Sequence, residues 1–207
     1  MVMHLIGGTG MGDVKLVTVA ALAIGAHGIR RGGVTARDRV LVTGAGPIGM
    51  AALLFAKARG AEVTVMDTRE DRLAFARDQL GADAVLLADD GAEAKAREFT
   101  GADWFDVVVD ATGAAPPIER GFGFLAHGAR YVLLSVVRDR ISFSDPEFHK
   151  REARIIGSRN AQAPDFDRVI AAIRDGLIPT DALLSEVVPL AEQFVWRGAM
   201  VTRSEER

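Results

Sequence analysis

Three glycines follow a short apolar segment about one fifth of the way along the chain. Residues 40–43 are rich in β-branched side chains, which is typical of a strand buried on both faces of a parallel sheet. Gly44, Gly46 and Gly49 come next, and in a strand-turn-helix setting this spacing brings backbone amides close to a phosphate. Asp67 ends a second apolar segment about twenty residues further on. Together these residues predict a dinucleotide-binding site.

Each residue of the glycine turn has a separate expected role. Gly44 allows a tight turn, Gly46 lets the backbone approach a pyrophosphate, and Gly49 lets the following helix pack closely on the strand. Pro47 stands at the helix start, where its missing amide costs little. The free amides around Ile48 and the helix dipole then favour phosphate binding.

Two other interpretations of glycine turns are disfavoured. The turn also has the glycine spacing of a P-loop, but Met50 and Ala51 stand where a lysine and a hydroxyl residue would be needed. A second strand-like piece with glycines lies at residues 3–12, but Arg30 or Arg31 occupies the position of a ribose-binding acid. We interpret residues 1–15 as a flexible or vector-derived leader.

Asp67 predicts which nucleotide is bound. A carboxylate there accepts hydrogen bonds from both hydroxyls of the adenosine ribose and repels a 2′-phosphate, so NAD is favoured over NADP. Arg69 and Arg72 keep NADP open as the less favoured cofactor, because a guanidinium near the ribose can hold a phosphate. The alternative role for Asp67 is to cap the next helix, which Thr68 can also do.

Composition limits the other functions. The chain has 207 residues, is 49% hydrophobic and carries a formal net charge of −3, which predicts a globular domain without a basic surface for nucleic acid or membrane. It has no signal-peptide layout and no apolar run long enough to span a bilayer, so we expect a cytoplasmic protein. Because cysteine is absent and the four histidines are scattered, we expect no metal site in this chain.

Strand and helix candidates alternate along the chain, which predicts an α/β fold: a doubly wound parallel sheet of the Rossmann type with six strands in the order 3-2-1-4-5-6. A helix-like stretch precedes the first strand, and an extended piece is predicted at residues 186–190. The predicted strands span residues 40–43, 62–66, 84–87, 106–110, 130–134 and 153–156, and the predicted helices span residues 17–31, 47–59, 70–80, 92–99, 117–126 and 165–174.

Further cofactor contacts are expected where strands four, five and six end, because ligands of such sheets bind at the carboxyl edge. The fourth strand should contribute to the adenosine side, and the fifth and sixth should hold the nicotinamide carboxamide through backbone groups. The candidates are Thr112, Gly113, Leu134, Ser135, Ile155 and Ile156. Short-chain dehydrogenases are disfavoured, since the only tyrosine, Tyr131, is followed four residues later by Ser135 and not by lysine.

The combination of motifs resembles the medium-chain dehydrogenases of the zinc-dependent alcohol and polyol type. The similarity is closest to members acting on sugar acids and polyols, and it covers most of the chain. It implies that residues 44–49 hold the pyrophosphate, that Asp67 and Arg72 hold the adenosine ribose, and that the ends of strands five and six hold nicotinamide. It runs through I-G-A-H at 24–27, G-A-G-P-I-G at 44–49, D-T-R-E-D-R-L at 67–73, L-G-A-D at 80–83, D-A-T-G at 110–113 and I-I-G-S-R-N at 155–160.

The resemblance also implies parts that this chain lacks. Family members carry a further domain with cysteine, histidine and glutamate ligands for a catalytic zinc. We therefore expect residues 16–192 to be an NAD-binding domain that is inactive alone, followed by a frayed tail at 193–207, with zinc in the parent enzyme only. In the family the sixth strand pairs with its mate, so we expect a homodimer through this edge and through residues 141–143.

Two other functions stay open on the sequence alone. One is a nucleotide-binding regulatory module without chemistry, because no general acid and base are predicted to share a pocket. The other is a zinc-independent, NADPH-linked reductase of the same superfamily, which Asp67 and the glycine turn argue against.

Overall fold

A computed structural model describes residues 16–183 of the chain. Its centre is a six-stranded, wholly parallel sheet in the order β3-β2-β1-β4-β5-β6, so the predicted fold class and strand order are confirmed. The strands are β1 (Arg39–Thr43), β2 (Glu62–Asp67), β3 (Ala84–Leu87), β4 (Phe105–Asp110), β5 (Leu125–Leu133) and β6 (Arg154–Gly157).

Helices connect the strands and cover both faces of the sheet. None of the helices within residues 16–183 is long and apolar enough to cross a membrane. They are α1 (Leu16–Arg31), α2 (Pro47–Lys57), α3 (Glu70–Asp78), α4 (Ala92–Phe99), α5 (Ala115–Gly121), α6 (Asp145–Lys150), α7 (Ala163–Arg174) and α8 (Thr180–Leu183), with a 3-10 turn at Phe122–Phe124.

The alternation of side chains along each strand divides the core in two. Val40 and Val42 of β1 point into a larger cluster that includes residues of α1, α2, α3 and α7. Leu41, between them, points into a second cluster under α4, α5 and α6. Because both faces are covered, the middle of β1, residues 40–42, is continuously apolar rather than alternating. The strand is buried from residue 40 to its carboxyl end at Thr43.

Several predicted boundaries were wrong. The helix predicted at 117–126 ends at Gly121, and β5 begins at Leu125, because Leu125 pairs with Phe105 of β4 before a register shift and belongs to the buried core. The predicted start of α7 at Asp165 is also wrong. The helix begins at Ala163, with Pro164 in its first turn, where proline is tolerated.

Two short helices, α6 and α8, were not predicted at all. Each has at most six residues, too few for a clear hydrophobic period. The predicted leader at 1–15, the extended piece at 186–190 and the tail at 193–207 lie outside the described residues.

Candidate functional site

Because all six strands are parallel, their carboxyl ends meet at one edge of the sheet. Backbone hydrogen bonds continue past these ends: the Gly44 amide donates to the Met66 carbonyl at 2.7 Å, and the Leu134 amide donates to the Asp110 carbonyl at 2.9 Å. The glycine turn, Asp67 and the segments that follow β4, β5 and β6 therefore lie at the same edge of the sheet.

Gly44 and Gly49 are required by the packing of the turn. Gly44 has φ +93°, a conformation that favours glycine, and a Cβ there would lie 2.9 Å from the Ala111 carbonyl carbon. A Cβ on Gly49 would lie 1.8 Å from the Gly44 carbonyl oxygen. The helix α2 can thus follow β1 this closely only if position 49 has no side chain.

Gly46 differs from both. A Cβ built on it meets nothing within 4 Å, so the space in front of it is open. It is the N-cap of α2, no side chain caps the helix start, and Pro47 follows in the first turn. The amides of Ile48 and Gly49 have no partner within the helix by its geometry. An open approach beside free amides is the arrangement that suits an anion.

Asp67 lies beside this turn and is 8% exposed. Its Oδ2 accepts a hydrogen bond from the Ala45 amide at 2.6 Å, and its Oδ1 accepts one from the Arg69 amide at 2.9 Å. The carboxylate therefore ties the glycine turn to the start of α3. Each oxygen keeps a lone pair, so two hydroxyl donors can still be accepted. The capping role considered for Asp67, and for Thr68 in its place, is absent, since Arg69 is the N-cap and no side chain caps α3.

The two arginines near Asp67 differ in their partners. The Arg72 Nη1 lies 3.9 Å from the Asp67 Oδ2. The Arg69 guanidinium instead pairs with Asp71, with Nε 3.0 Å from Oδ1 and Nη2 2.5 Å from Oδ2. This pair raises the pKa of Arg69 and lowers that of Asp71. Both side chains are largely solvent-exposed, and the sequence alone did not indicate their pairing.

At the end of β4, Asp110 organises the next loop. Its carboxylate is fully buried, and Oδ1 accepts hydrogen bonds from the Thr112 hydroxyl at 2.6 Å and the Thr43 hydroxyl at 3.2 Å. Oδ2 finds no partner among residues 16–183. Burial raises the pKa of Asp110, and bonds from hydroxyls, chiefly that of Thr112, oppose the rise. Gly113, at φ +76°, donates its amide to the Ser135 hydroxyl at 3.0 Å.

This network engages the hydroxyl groups of two candidate residues. The Thr112 and Ser135 hydroxyls are both engaged within the protein, so they join the loops after β4 and β5. Asp110 is not among the predicted site residues. The signal for it is an acid at the end of the apolar segment 107–109, where a buried charge needs a structural or functional reason.

The nicotinamide candidates lie near the ends of β5 and β6. The Leu134 side chain is buried, and Ile156 packs against the larger core, so these two can offer a ligand little besides backbone groups. Ile155 and Ile156 stand within β6, opposite Tyr131 and Val132 of β5. The role expected for their backbone atoms at the nicotinamide end stays a prediction.

Two other buried titratable side chains, Tyr131 and His27, make contacts within the protein. Tyr131 is fully buried, donates to the Ile118 carbonyl at 2.9 Å, and has its pKa raised by burial. His27 is buried with its Nδ1 2.7 Å from the Asp165 Oδ2, which joins α1 to α7. Within residues 16–183 no group of three or more His, Cys, Asp or Glu side chains could hold a metal ion.

Comparisons with known proteins agree with this geometry. The family model described as "Zinc-binding dehydrogenase" matches residues 47–175. L-galactonate-5-dehydrogenase of Escherichia coli is 33% identical over 190 residues, which cover 92% of this chain and 56% of the relative. Human sorbitol dehydrogenase is 40% identical over 122 residues, covering 57% of this chain and 34% of the relative.

A solved structure is similar as well. Acetophenone reductase from Geotrichum candidum, in complex with NAD, superposes with a TM-score of 0.66 at 26% identity, covering 78% of this chain and 45% of that one. The chain spans about half the length of the curated relatives that it matches over most of its own length. The segment matched by the family model contains the start of the glycine-turn helix, Asp67 and the ends of β4, β5 and β6. Because this model matches more than half of the chain, the chain belongs to the zinc-binding dehydrogenase family.

Proposed function

We propose that this chain binds NAD and positions its nicotinamide for hydride transfer in a zinc-dependent alcohol or polyol dehydrogenase, with sugar acids among the candidate substrates. The observation that carries the proposal is the Asp67 carboxylate, which is buried beside the open space at Gly46 and retains acceptor capacity. The printed names of the relatives, which include galactonate and sorbitol dehydrogenases, support the substrate class.

In this proposal each part of the crevice has one task. The amides at the start of α2, around Gly46, Pro47, Ile48 and Gly49, bind the pyrophosphate. Asp67 accepts the hydroxyls of the adenosine ribose, and Arg72 lies next to it. Bound NAD supplies the hydride acceptor, and the chain orients the nicotinamide against the substrate.

The nicotinamide end of the site is formed by the loops after the next strands. Thr112 and Gly113 line the crevice after β4 with small groups and backbone. Leu134, Ser135, Ile155 and Ile156 bring backbone groups of β5 and β6 to the carboxamide. The Asp110 carboxylate joins the end of β1 to the loop after β4, because it accepts hydrogen bonds from the hydroxyls of Thr43 and Thr112. Ser135 ties the loop after β5 to the loop after β4 by accepting the Gly113 amide.

The residues that the structure describes do not fit a zinc ion. The sequence contains no cysteine, and the described residues offer no cluster of metal ligands. We propose that zinc is held by a separate catalytic domain of the whole enzyme, and that residues 16–192 alone bind NAD without oxidising alcohols. A cytoplasmic location is part of the same proposal.

A homodimer through the sheet edge completes the proposal. Within residues 16–183, β6 pairs only with β5, and Ile155 on it is 41% exposed. Residues 141–143 form no strand, so the sheet edge is presented by β6, and the part of residues 141–143 in the dimer stays a prediction. Light scattering should give the mass of a dimer, and a monomer at high micromolar concentration would contradict it.

Calorimetric titration with NAD and NADP tests the cofactor assignment. Asp67→Ala removes one or two charge-assisted hydrogen bonds to the ribose, each about 1.5–3 kcal/mol, so NAD should bind at least about tenfold more weakly while NADP changes less. Asp83→Ala is the control: Asp83 also accepts a main-chain amide, that of Val63 at 2.6 Å, but precedes β3 at the opposite edge of the sheet.

The alternatives predict other results. Equal loss of both nucleotides in Asp67→Ala would refute the ribose assignment. A preference of the unaltered chain for NADPH would favour the zinc-independent reductase. NAD binding by a whole protein that has no dehydrogenase activity would favour the regulatory module.

A further inference from the structure

The segment from Asp67 to Arg72 places cations next to the acid that is proposed to bind ribose. The Arg69 amide lies 2.9 Å from the Asp67 carboxylate. The main chain of Arg69 is thus in contact with that acid. Arginine is the side chain best suited to hold a phosphate, through its planar fork of donors. An unpaired arginine at this position would therefore favour the 2′-phosphate of NADP.

Arg69 is not unpaired. Asp71 engages it at two points, Nε to Oδ1 at 3.0 Å and Nη2 to Oδ2 at 2.5 Å. The Nε and Nη2 donors on this edge of the guanidinium are therefore not free for a phosphate. The segment 67–72 also carries three carboxylates, those of Asp67, Glu70 and Asp71, against two guanidiniums, which adds repulsion toward a further anion.

We propose that Asp71 is a specificity-determining residue: by holding the Arg69 guanidinium in a two-point ion pair, it denies that cation to a 2′-phosphate and strengthens the discrimination against NADP. This inference rests on the proposed function, since it requires that the nucleotide ribose binds at Asp67. Asp71 makes no contact with NAD in this scheme and acts through Arg69. Its loss should leave NAD affinity unchanged.

The test is titration calorimetry of the full chain with NAD and with NADP, repeated with Asp71→Asn. The substitution removes one negative charge and releases Arg69, so NADP affinity should rise about three- to tenfold at low ionic strength. Since the pair is exposed, the gain should shrink at about 0.5 M salt. NAD affinity should stay within about twofold.

Asp78→Asn is a matched control on the same helix. Asp78 pairs with Arg77 through the same two atoms of the guanidinium, Nε at 2.7 Å and Nη2 at 3.2 Å, and is exposed to a similar extent. It lies at the other end of α3, seven residues or about 10 Å further along the helix. Asp78→Asn should change neither affinity.

A double substitution separates release of the guanidinium from simple loss of charge. In the Arg69→Ala and Asp71→Asn double variant the gain for NADP should disappear. If the double variant keeps the gain, or if Asp71→Asn leaves NADP affinity unchanged while NAD still binds, the role of Asp71 is refuted. If the unaltered chain binds neither nucleotide, the proposed function itself is overturned, and this inference with it.

Discussion

Gly46 and Gly49 stand three residues apart in one turn, yet the structure predicts different effects of substituting each by alanine: loss of stability at Gly49 and loss of NAD binding at Gly46. Gly49→Ala places a methyl group 1.8 Å from the Gly44 carbonyl oxygen. A main-chain atom cannot move aside as a flexible side chain can, so either the turn or the start of α2 must shift. Gly46→Ala places its methyl group in open space, at φ −83° and ψ −177°, which alanine adopts freely.

The magnitudes follow from these contacts. For Gly49→Ala, better helix propensity contributes about 1 kcal/mol, while the collision costs about 3 kcal/mol, so the free energy of unfolding should fall by about 2 kcal/mol. In a chain of this size that lowers Tm by about 4–8 °C. For Gly46→Ala, the lower entropy of the unfolded chain and the poorer N-cap nearly cancel. Its stability should stay within about 0.5 kcal/mol of the parent.

For NAD binding, the variant with nearly unchanged stability, Gly46→Ala, is the one expected to show a loss. The new methyl group of Gly46→Ala occupies the space through which a pyrophosphate would approach the α2 amides, and loss of one charge-assisted hydrogen bond is worth about 1.5–3 kcal/mol. NAD should therefore bind at least about tenfold more weakly to a variant that is folded normally.

Chemical denaturation followed by circular dichroism, together with calorimetric titration of NAD, measures both quantities on the same samples. Unchanged NAD affinity in Gly46→Ala would refute the assignment of the α2 amides to the pyrophosphate. Unchanged stability in Gly49→Ala would refute the packing argument for the turn, whatever happens to binding.

Two further predictions concern buried carboxyl groups. Burial opposes ionisation of Asp165, but hydrogen bonds from Arg30 and other donors hold its pKa well below the usual range. A lowered pKa stabilises the fold above the unfolded-state value of about 4 and loses that effect as the pH falls below it. Acid should therefore destabilise the parent more steeply than Asp165→Asn, which should be about 3–5 kcal/mol less stable at pH 7; parallel pH profiles would contradict this. For Asp110, whose pKa is raised by burial, the sign is opposite, and stability falls as the pH rises through the raised pKa. Asp110→Asn should be at least as stable as the parent at pH 8 in urea denaturation, and lower stability there would show that the fold needs the charge.

Much of the architecture was predictable because it depends on local patterns. The strands β1 to β4 are short apolar runs bounded by glycines or acids, and the structure has them within a residue of the expected positions. Their alternation with helices determines a parallel sheet. The start of β5 was harder to predict, since its first residues look helical. Leu125 is extended in the structure, where it pairs with Phe105.

The candidate site also has features that the sequence predicts and features that depend on tertiary contacts. The spacing of Gly44, Gly46, Gly49 and Asp67 predicts a nucleotide turn because it is a local pattern. The close contacts of Gly49 are likewise local, with Gly44 and Val42, whereas the close neighbour of Gly44 is Ala111 after β4. The partners of Asp110 were not predictable, since Thr43 lies 67 residues away in the sequence. Nor could spacing show that Arg69 pairs with Asp71 rather than with Asp67, since this depends on the direction of the side chain.

The sequence by itself determined the fold class, the family and the position of the glycine turn, because periodicity, glycine spacing and the terminal acids are local properties of the chain. Only the tertiary structure decided which glycine leaves an open approach and which one is filled by a neighbour, how Asp67 joins two elements, and which hydroxyls are already engaged. These depend on contacts between strands brought together by the sheet, and no local pattern encodes such distances.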